Sequence, residues 1–270
     1  MKLKNKKIAF IGAGKMAEAL IKGLVSSKVI PPKKIYASDV LSKRLKLVKS
    51  RYKVNTLSSN EKAVKAADII VLAVKPQLMG IVLKKIGPHV RRNQLVVSIA
   101  AGIKTKSIKK FVGKASVVRV MPNNPCLIGE GVCAIAGSAS NKKIVESIFS
   151  SVSEVVYLDE SQMDAVTAVS GSGPAFVYYL AEAFIEGAKK AGLKGQVAEK
   201  LTMRTLIGAA KTLIETGESP ERLRAMVASP GGTTLAGLKV LSKYKFKKAL
   251  VSAIMSATKR SGQLGKVYNP

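Results

Sequence analysis

The 270-residue sequence predicts an α/β half built on a mostly parallel, doubly wound sheet, followed by an all-α half. Three observations carry this expectation. Short β-rich apolar runs alternate with amphipathic helical stretches over residues 1–160. From about Ser161 the β-rich runs disappear and long helices succeed one another. The length is generous for one domain and comfortable for two. Residues 1–160 are therefore assigned to one domain and residues 161–270 to a second.

In order, Ile8–Gly12 reads as a strand and Met16–Ser27 as a helix with Ala17, Leu20, Ile21 and Leu24 on one face. Lys34–Asp39, Val54–Leu57, Asp68–Val74, Gln94–Ala101 and Ser116–Met121 continue the strands. The helices between them are Leu41–Ser50, Asn60–Ala66, Gln77–Ile86 and Thr105–Val112. Val132–Gly137, a helix at Lys142–Ser151 and Glu154–Leu158 complete this half. Near-continuous apolar strands separated by helices imply a parallel sheet covered on both faces. In the second half, Pro174–Ala191 stops at Gly192 and Gln196–Thr216 stops at Gly217, each carrying an apolar stripe. Ser219-Pro220-Glu221 is a helix start, with a cap, a proline and an acidic first turn. Further helices are expected at Thr234–Leu241 and Phe246–Leu264.

Composition excludes several classes of function. Hydrophobic residues at 47% and charged residues at 23% describe a globular chain rather than a disordered one. No apolar run approaches the roughly 18–20 residues that cross a bilayer. The basic start leads straight into a strand and a glycine turn, so a soluble cytoplasmic protein without a membrane partner is expected. His89 is the only histidine, and Cys126 and Cys133 are spaced neither as a redox pair nor as a zinc knuckle. No metal site and no histidine triad is expected. The formal charge of +30 comes mostly from lysines spread through every segment, with aromatics at 5% and no tryptophan. That pattern describes a solvated basic surface rather than a nucleic-acid interface, and its field favours anionic small molecules.

Gly12-Ala13-Gly14-Lys15-Met16-Ala17 fits G-x-G-x-x-A between a strand and a helix. Gly12 permits a tight turn, Gly14 lets the backbone approach a pyrophosphate, and Ala17 allows close packing of helix on strand. The helix start adds free amides for the phosphates. This is a dinucleotide-binding, or Rossmann, fingerprint. Asp39 ends the second strand, where an acid binds the adenine ribose of NAD and repels the 2′-phosphate of NADP. Ser38, Lys43 and Arg44 point the other way, and a helix cap is the structural alternative for Asp39. NADPH and NADH both remain open.

Several segments together resemble the pyrroline-5-carboxylate reductase family. They are Phe10 to Ala17, Ala73-Val74-Lys75-Pro76, Ser98 to Gly102, Met121-Pro122-Asn123, Ala168 to Ala175 and Ala228 to Thr234. The resemblance runs from the first strand to the last helix. It implies a Rossmann domain, an interlocking helical dimerisation domain, and NAD(P)H-dependent reduction of the cyclic imine L-1-pyrroline-5-carboxylate to L-proline. Carried over by position, it implies cofactor contacts from Ile11, Gly12, Ala13, Gly14, Lys15, Met16, Ala17, Asn60, Ala73, Val74, Lys75, Pro76, Ile99, Ala100 and Ala101. Substrate contacts would fall on Ser229, Gly231, Gly232, Thr233 and Thr234. A homodimer, with a larger ring of dimers also compatible, is the implied assembly.

The residues themselves carry part of this chemistry. Lys75 comes after the fourth strand at the carboxyl edge, within reach of a phosphate or ribose, and Asn60 is either a contact or a helix cap. Ser229-Pro230-Gly231-Gly232 precedes a helix, so its free amides suit a carboxylate. The Thr234 hydroxyl is placed to hydrogen-bond a ring nitrogen and is the candidate catalytic residue. Hydride transfer to an imine needs no strong protein acid, because the nicotinamide carries the reaction. Two rival readings compete with this one. A 3-hydroxyacid dehydrogenase needs a lysine early in the first long helix of the second domain, and none precedes Lys189 there. A non-catalytic nucleotide-sensing protein is separated from an enzyme by assay.

Overall fold

The structure, a computed structural model, describes residues 3–137 and 139–268. Eight strands form one sheet: β1 (Ile8–Ile11), β2 (Ile35–Ser38), β3 (Asn55–Leu57), β4 (Ile69–Leu72), β5 (Leu95–Ser98), β6 (Ser116–Met121), β7 (Gly131–Gly137) and β8 (Ser153–Tyr157). Their spatial order is β3-β2-β1-β4-β5-β6-β7-β8. All neighbours pair in parallel except β6 and β7, which run antiparallel. The expected mostly parallel sheet is therefore present, and the chain reverses direction where a short connection joins β6 to β7.

The residues explain the layers. Successive strand side chains face opposite sides, so an all-apolar strand serves two cores at once. Ile8 and Phe10 of β1 enter one core with Val71, Val97 and Val118, while Ala9 and Ile11 enter the other with Ile70, Leu72 and Val96. Helices α1 (Lys15–Ser26), α2 (Ser42–Tyr52) and α6 (Ala139–Phe149) cover the first face through Leu20, Val48 and Phe149. Helices α3 (Asn60–Ala66), α4 (Met79–Ile86) and α5 (Thr105–Val112) cover the second through Val64, Leu83 and Ile108.

The compact units do not divide where the texture changes. One unit is residues 1–172 with 255–270, and the other is Gly173–Ile254. Residues after β8 stay with the sheet because helix α7 (Met163–Val166) buries Met163 against Ala134 and Ala136. A wide helical turn, Thr167–Ser172, comes next. An ion pair reinforces this attachment: Arg119 of β6, almost fully buried, lies 3.7 Å from Glu160. Glu160 in turn accepts the Thr105 backbone N–H at 2.7 Å and its hydroxyl at 2.6 Å. Burial pulls the Arg119 guanidinium below its ordinary range, against the opposing pull of Glu160 and Asp164. The end of the last helix, α12 (Phe246–Tyr268), joins the same unit, with the Ser261 hydroxyl donating to Asp164 at 2.7 Å. Gly265 lies against Gly102, whose carbonyl oxygen would stand 2.6 Å from an added Cβ.

The second unit holds α8 (Gly173–Lys190), α9 (Gly195–Thr216), α10 (Pro220–Met226), α11 (Thr233–Lys243) and the start of α12. Its interior is slight. Ala181 and Ala198 are its buried apolar residues, while Val177, Phe184, Leu201, Ile207 and Val251 all face outward.

Candidate nucleotide and substrate sites

The sheet order places the reversal of winding between β1 and β4, and open α/β sheets bind ligands at the carboxyl edge of such a point. Ile11, Leu72, Ser98 and Ser38 end their strands in register there. The ladder runs on into the loops. The Gly12 N–H donates to Ser38 O at 2.8 Å, Ala73 N–H to Ile11 O at 2.8 Å, and Ile99 N–H to Leu72 O at 3.2 Å. One edge thus gathers Gly12–Ala17, Ser38-Asp39, Asn60, Ala73–Pro76 and Ile99–Ala101.

The two glycines do different work. Gly12 has φ +97°, and a Cβ there would lie 2.6 Å from Ala73 O, so the first loop is pressed onto the fourth strand's exit. Gly14 caps α1 with φ −66°, and a Cβ there meets nothing within 4 Å. The open space lies over the first turn of α1, where free amides and a partial positive charge favour phosphate. Lys15 and Lys75 are exposed at this edge, whereas Ile11, Ala13, Ala17 and Ala100 are buried and shape the loops from beneath. This cradle fits a dinucleotide.

Asp39 is half-buried and holds two backbone amides: Ala13 N–H at 2.7 Å and Leu41 N–H at 2.8 Å. It is not the residue that caps α2, since Leu41 occupies that position. A carboxylate offers about four acceptor sites, so these two amides do not exhaust it. Ser38 is fully buried, and its hydroxyl lies 2.7 Å from Asn60 Oδ1. It supports Asn60 from below and does not reach the surface as a phosphate ligand would. Asn60 does not cap α3 either: Ser59 does, accepting the Lys62 N–H.

Arg44 also departs from expectation. It is partly engaged within the protein: its Nε donates to Ala13 O at 2.8 Å and its Nη2 pairs with Glu18 of α1 at 2.6 Å. Glu18 also receives Arg51 at 3.0 Å and the Tyr52 hydroxyl at 3.2 Å. Burial pushes the Glu18 carboxyl up, but Arg44, Arg51 and Tyr52 outweigh it and hold the group below its ordinary value. Sequence reasoning missed Glu18. A lone acid in α1 facing the acid-free, lysine- and arginine-rich α2 was the available signal.

The predicted substrate residues lie together on the helical unit. Ser229-Pro230-Gly231-Gly232 closes a tight turn through the Gly232 N–H and Ser229 O at 3.0 Å. Pro at the second position and φ +74° at Gly231 make it type II, a turn in which glycine is favoured at the third position. Gly232 caps α11, Thr233 and Thr234 open it, and Thr234 is half-buried. The first-turn amides of this helix suit a carboxylate.

Comparison with known proteins bears directly on both regions. Residues 160–264 match the model for pyrroline-5-carboxylate reductase dimerisation, and residues 7–102 match that for NADP oxidoreductase, coenzyme F420-dependent. The chain is 39% identical over 269 residues to a pyrroline-5-carboxylate reductase of Methanosarcina acetivorans, covering 98% of this chain and 100% of that one.

This chain belongs to the pyrroline-5-carboxylate reductase family.

A family member of Arabidopsis thaliana is 37% identical over 264 residues, covering 96% of each chain. The crystal structure of a Plasmodium falciparum pyrroline carboxylate reductase with NADP bound superposes with a TM-score of 0.88 at 32% identity, covering 97% of this chain and 99% of that one. Like other members of the family, the chain carries a dimerisation region, and the uncovered apolar residues of its helical unit are what such a region needs. Among the described residues no helix is long and apolar enough to cross a membrane, and no cluster of His, Cys, Asp and Glu suits a metal.

Proposed function

We infer that this protein reduces L-1-pyrroline-5-carboxylate to L-proline with NADPH or NADH, the last step of proline synthesis. The observation that carries the reading is chain-wide: proteins named pyrroline-5-carboxylate reductase align with 96–98% of this chain at 37–39% identity. In this reading Gly14 and the first turn of α1 seat the pyrophosphate, Lys15 and Lys75 add charge, and Asp39 addresses the adenine ribose. Asn60, Ala73–Pro76 and Ile99–Ala101 form the remaining wall. When bound, the reduced nicotinamide supplies the hydride for the imine carbon.

The amides of Gly231 and Thr233 hold the substrate carboxylate, while Ser229 braces the turn by accepting the Gly232 N–H. The Thr234 hydroxyl hydrogen-bonds the ring nitrogen. An imine accepts an electron pair readily when protonated, so the chain needs to orient and exclude rather than to supply a strong acid. The absence of a histidine beyond His89 is consistent with that demand.

Nucleotide binding is assigned to the α/β part and substrate binding with dimerisation to the helical part. The assembly is a homodimer or a ring of such dimers, in the cytoplasm. The assay is oxidation of NAD(P)H by the purified protein with racemic pyrroline-5-carboxylate, with L-proline as product. Nucleotide binding without turnover would favour a nucleotide sensor instead.

A further inference from the structure

The ribose end of the nucleotide cradle is unusually constrained. Ala13 is held from both sides, its N–H by Asp39 at 2.7 Å and its carbonyl by Arg44 Nε at 2.8 Å. The Arg44 guanidinium therefore sits one residue's width from the carboxylate expected to meet the adenine ribose. An arginine so placed, with its planar fork of donors, is the natural partner of a 2′-phosphate. Here two of the three nitrogens of the fork are already committed, Nε to the Ala13 carbonyl and Nη2 to Glu18 at 2.6 Å. The residues directly after Asp39 offer no replacement: Val40 and Leu41 are apolar and exposed. Lys43 is exposed, but an ammonium is a hydrated point charge without the bidentate geometry.

We propose that Glu18, on the helix behind the glycine loop, is a coenzyme-specificity residue: it withholds Arg44 from the 2′ position and so disfavours the phosphorylated nucleotide. The proposal rests on the nucleotide-site reading above. It differs from the rule that an acid ends the second strand, because the residue named lies in α1 and acts through an arginine on α2. Glu18 is a positioning residue. Its removal does two things at once, freeing the Arg44 fork and taking one negative charge from the neighbourhood, and only the first is the proposed mechanism.

Equilibrium binding by calorimetry to the full-length protein separates these. The probes are adenosine 2′,5′-bisphosphate and adenosine 5′-monophosphate, which differ only in the 2′-phosphate. Wild type should show little preference between them. Glu18→Gln should shift the preference toward the bisphosphate by about tenfold, the scale of one charge-assisted hydrogen bond, with the monophosphate nearly unchanged. The double variant Glu18→Gln with Arg44→Met should lose that gain. The ratio of kcat/KM for NADPH over NADH should move with the binding preference. Should Glu18→Gln not fold, Glu18→Ala gives the same comparison. An unchanged preference in the single variant overturns the proposal, as does a gain that persists without Arg44. Binding of neither probe by wild type overturns the nucleotide-site reading itself, and the proposal with it.

Discussion

Gly12 and Ala73 pack so closely that a methyl group on the glycine would stand 2.6 Å from the Ala73 carbonyl oxygen. Two strands on either side of the winding reversal are held together at that point. Gly12→Ala must strain both a positive φ and a backbone contact, and should cost about 3 kcal/mol of stability. Gly14, two residues on, has ordinary φ and empty space above it. Gly14→Val should cost no more than about 1 kcal/mol, the scale of a weakened helix cap, yet weaken nucleotide binding by more than about tenfold. Urea unfolding and calorimetric titration of the two variants check this. Equal effects of the two on stability would contradict the division of roles.

Thr234→Ala tests the hydroxyl assigned to the ring nitrogen. It should lower kcat by an amount worth about 1–3 kcal/mol while leaving the nucleotide KM near its wild-type value. Steady-state kinetics with both substrates varied decides. An unchanged kcat would leave the hydroxyl a structural part of the first turn of α11.

Glu18 also predicts a pH dependence of stability. Its folded carboxyl lies below the ordinary value of 4.5, because three partners outweigh the cost of burial. The folded state therefore holds the anion more firmly than the unfolded chain does. That contribution is complete above about pH 4.5 and is lost as the pH falls through the lower, folded value. The stability deficit of Glu18→Gln relative to wild type should be steady near neutrality and shrink below about pH 4.5. Urea unfolding across that range measures it, and a deficit that does not change with pH would show that the ion pairs contribute nothing.

The helical unit predicts association. With Val177, Phe184, Leu201 and Ile207 outward on a single chain, too much apolar surface is uncovered for a stable isolated domain. Light scattering should give a mass at least twice the 28.6 kDa of one chain. A folded, active monomer would contradict the account. Replacing Ile207 with lysine should lower both association and turnover, since a charge would then face the partner's apolar surface.

Much of this was legible because it rests on local pattern. The alternation of apolar strands and amphipathic helices marks all eight strands, and the glycine spacing marks the turn at β1. Other features depend on contacts distant in sequence. The pairing of Glu18 with Arg44 joins two helices, and nothing in either helix alone announces it. Ser38 and Asp39 are neighbours, yet one is fully buried and the other reaches the surface, because Ser38 is the last residue of β2 while Asp39 has already left the strand at the sheet's carboxyl edge. The reach of the first unit to Ser172 escaped a reading by texture, since Met163–Ser172 is helical like α8 while Met163 packs against β7. Arg119, set among the valines of β6, was the visible sign of that attachment, its partner Glu160 lying beyond the last strand.

The central claim is that hydride passes from the reduced nicotinamide to the imine carbon of pyrroline-5-carboxylate. The measurement that tests it most directly uses reduced nicotinamide nucleotide carrying deuterium at both C4 positions, with the proline product examined by NMR. The account predicts L-proline carrying one deuterium at C5. Proline without deuterium, or consumption of the nucleotide with no proline formed, would contradict it.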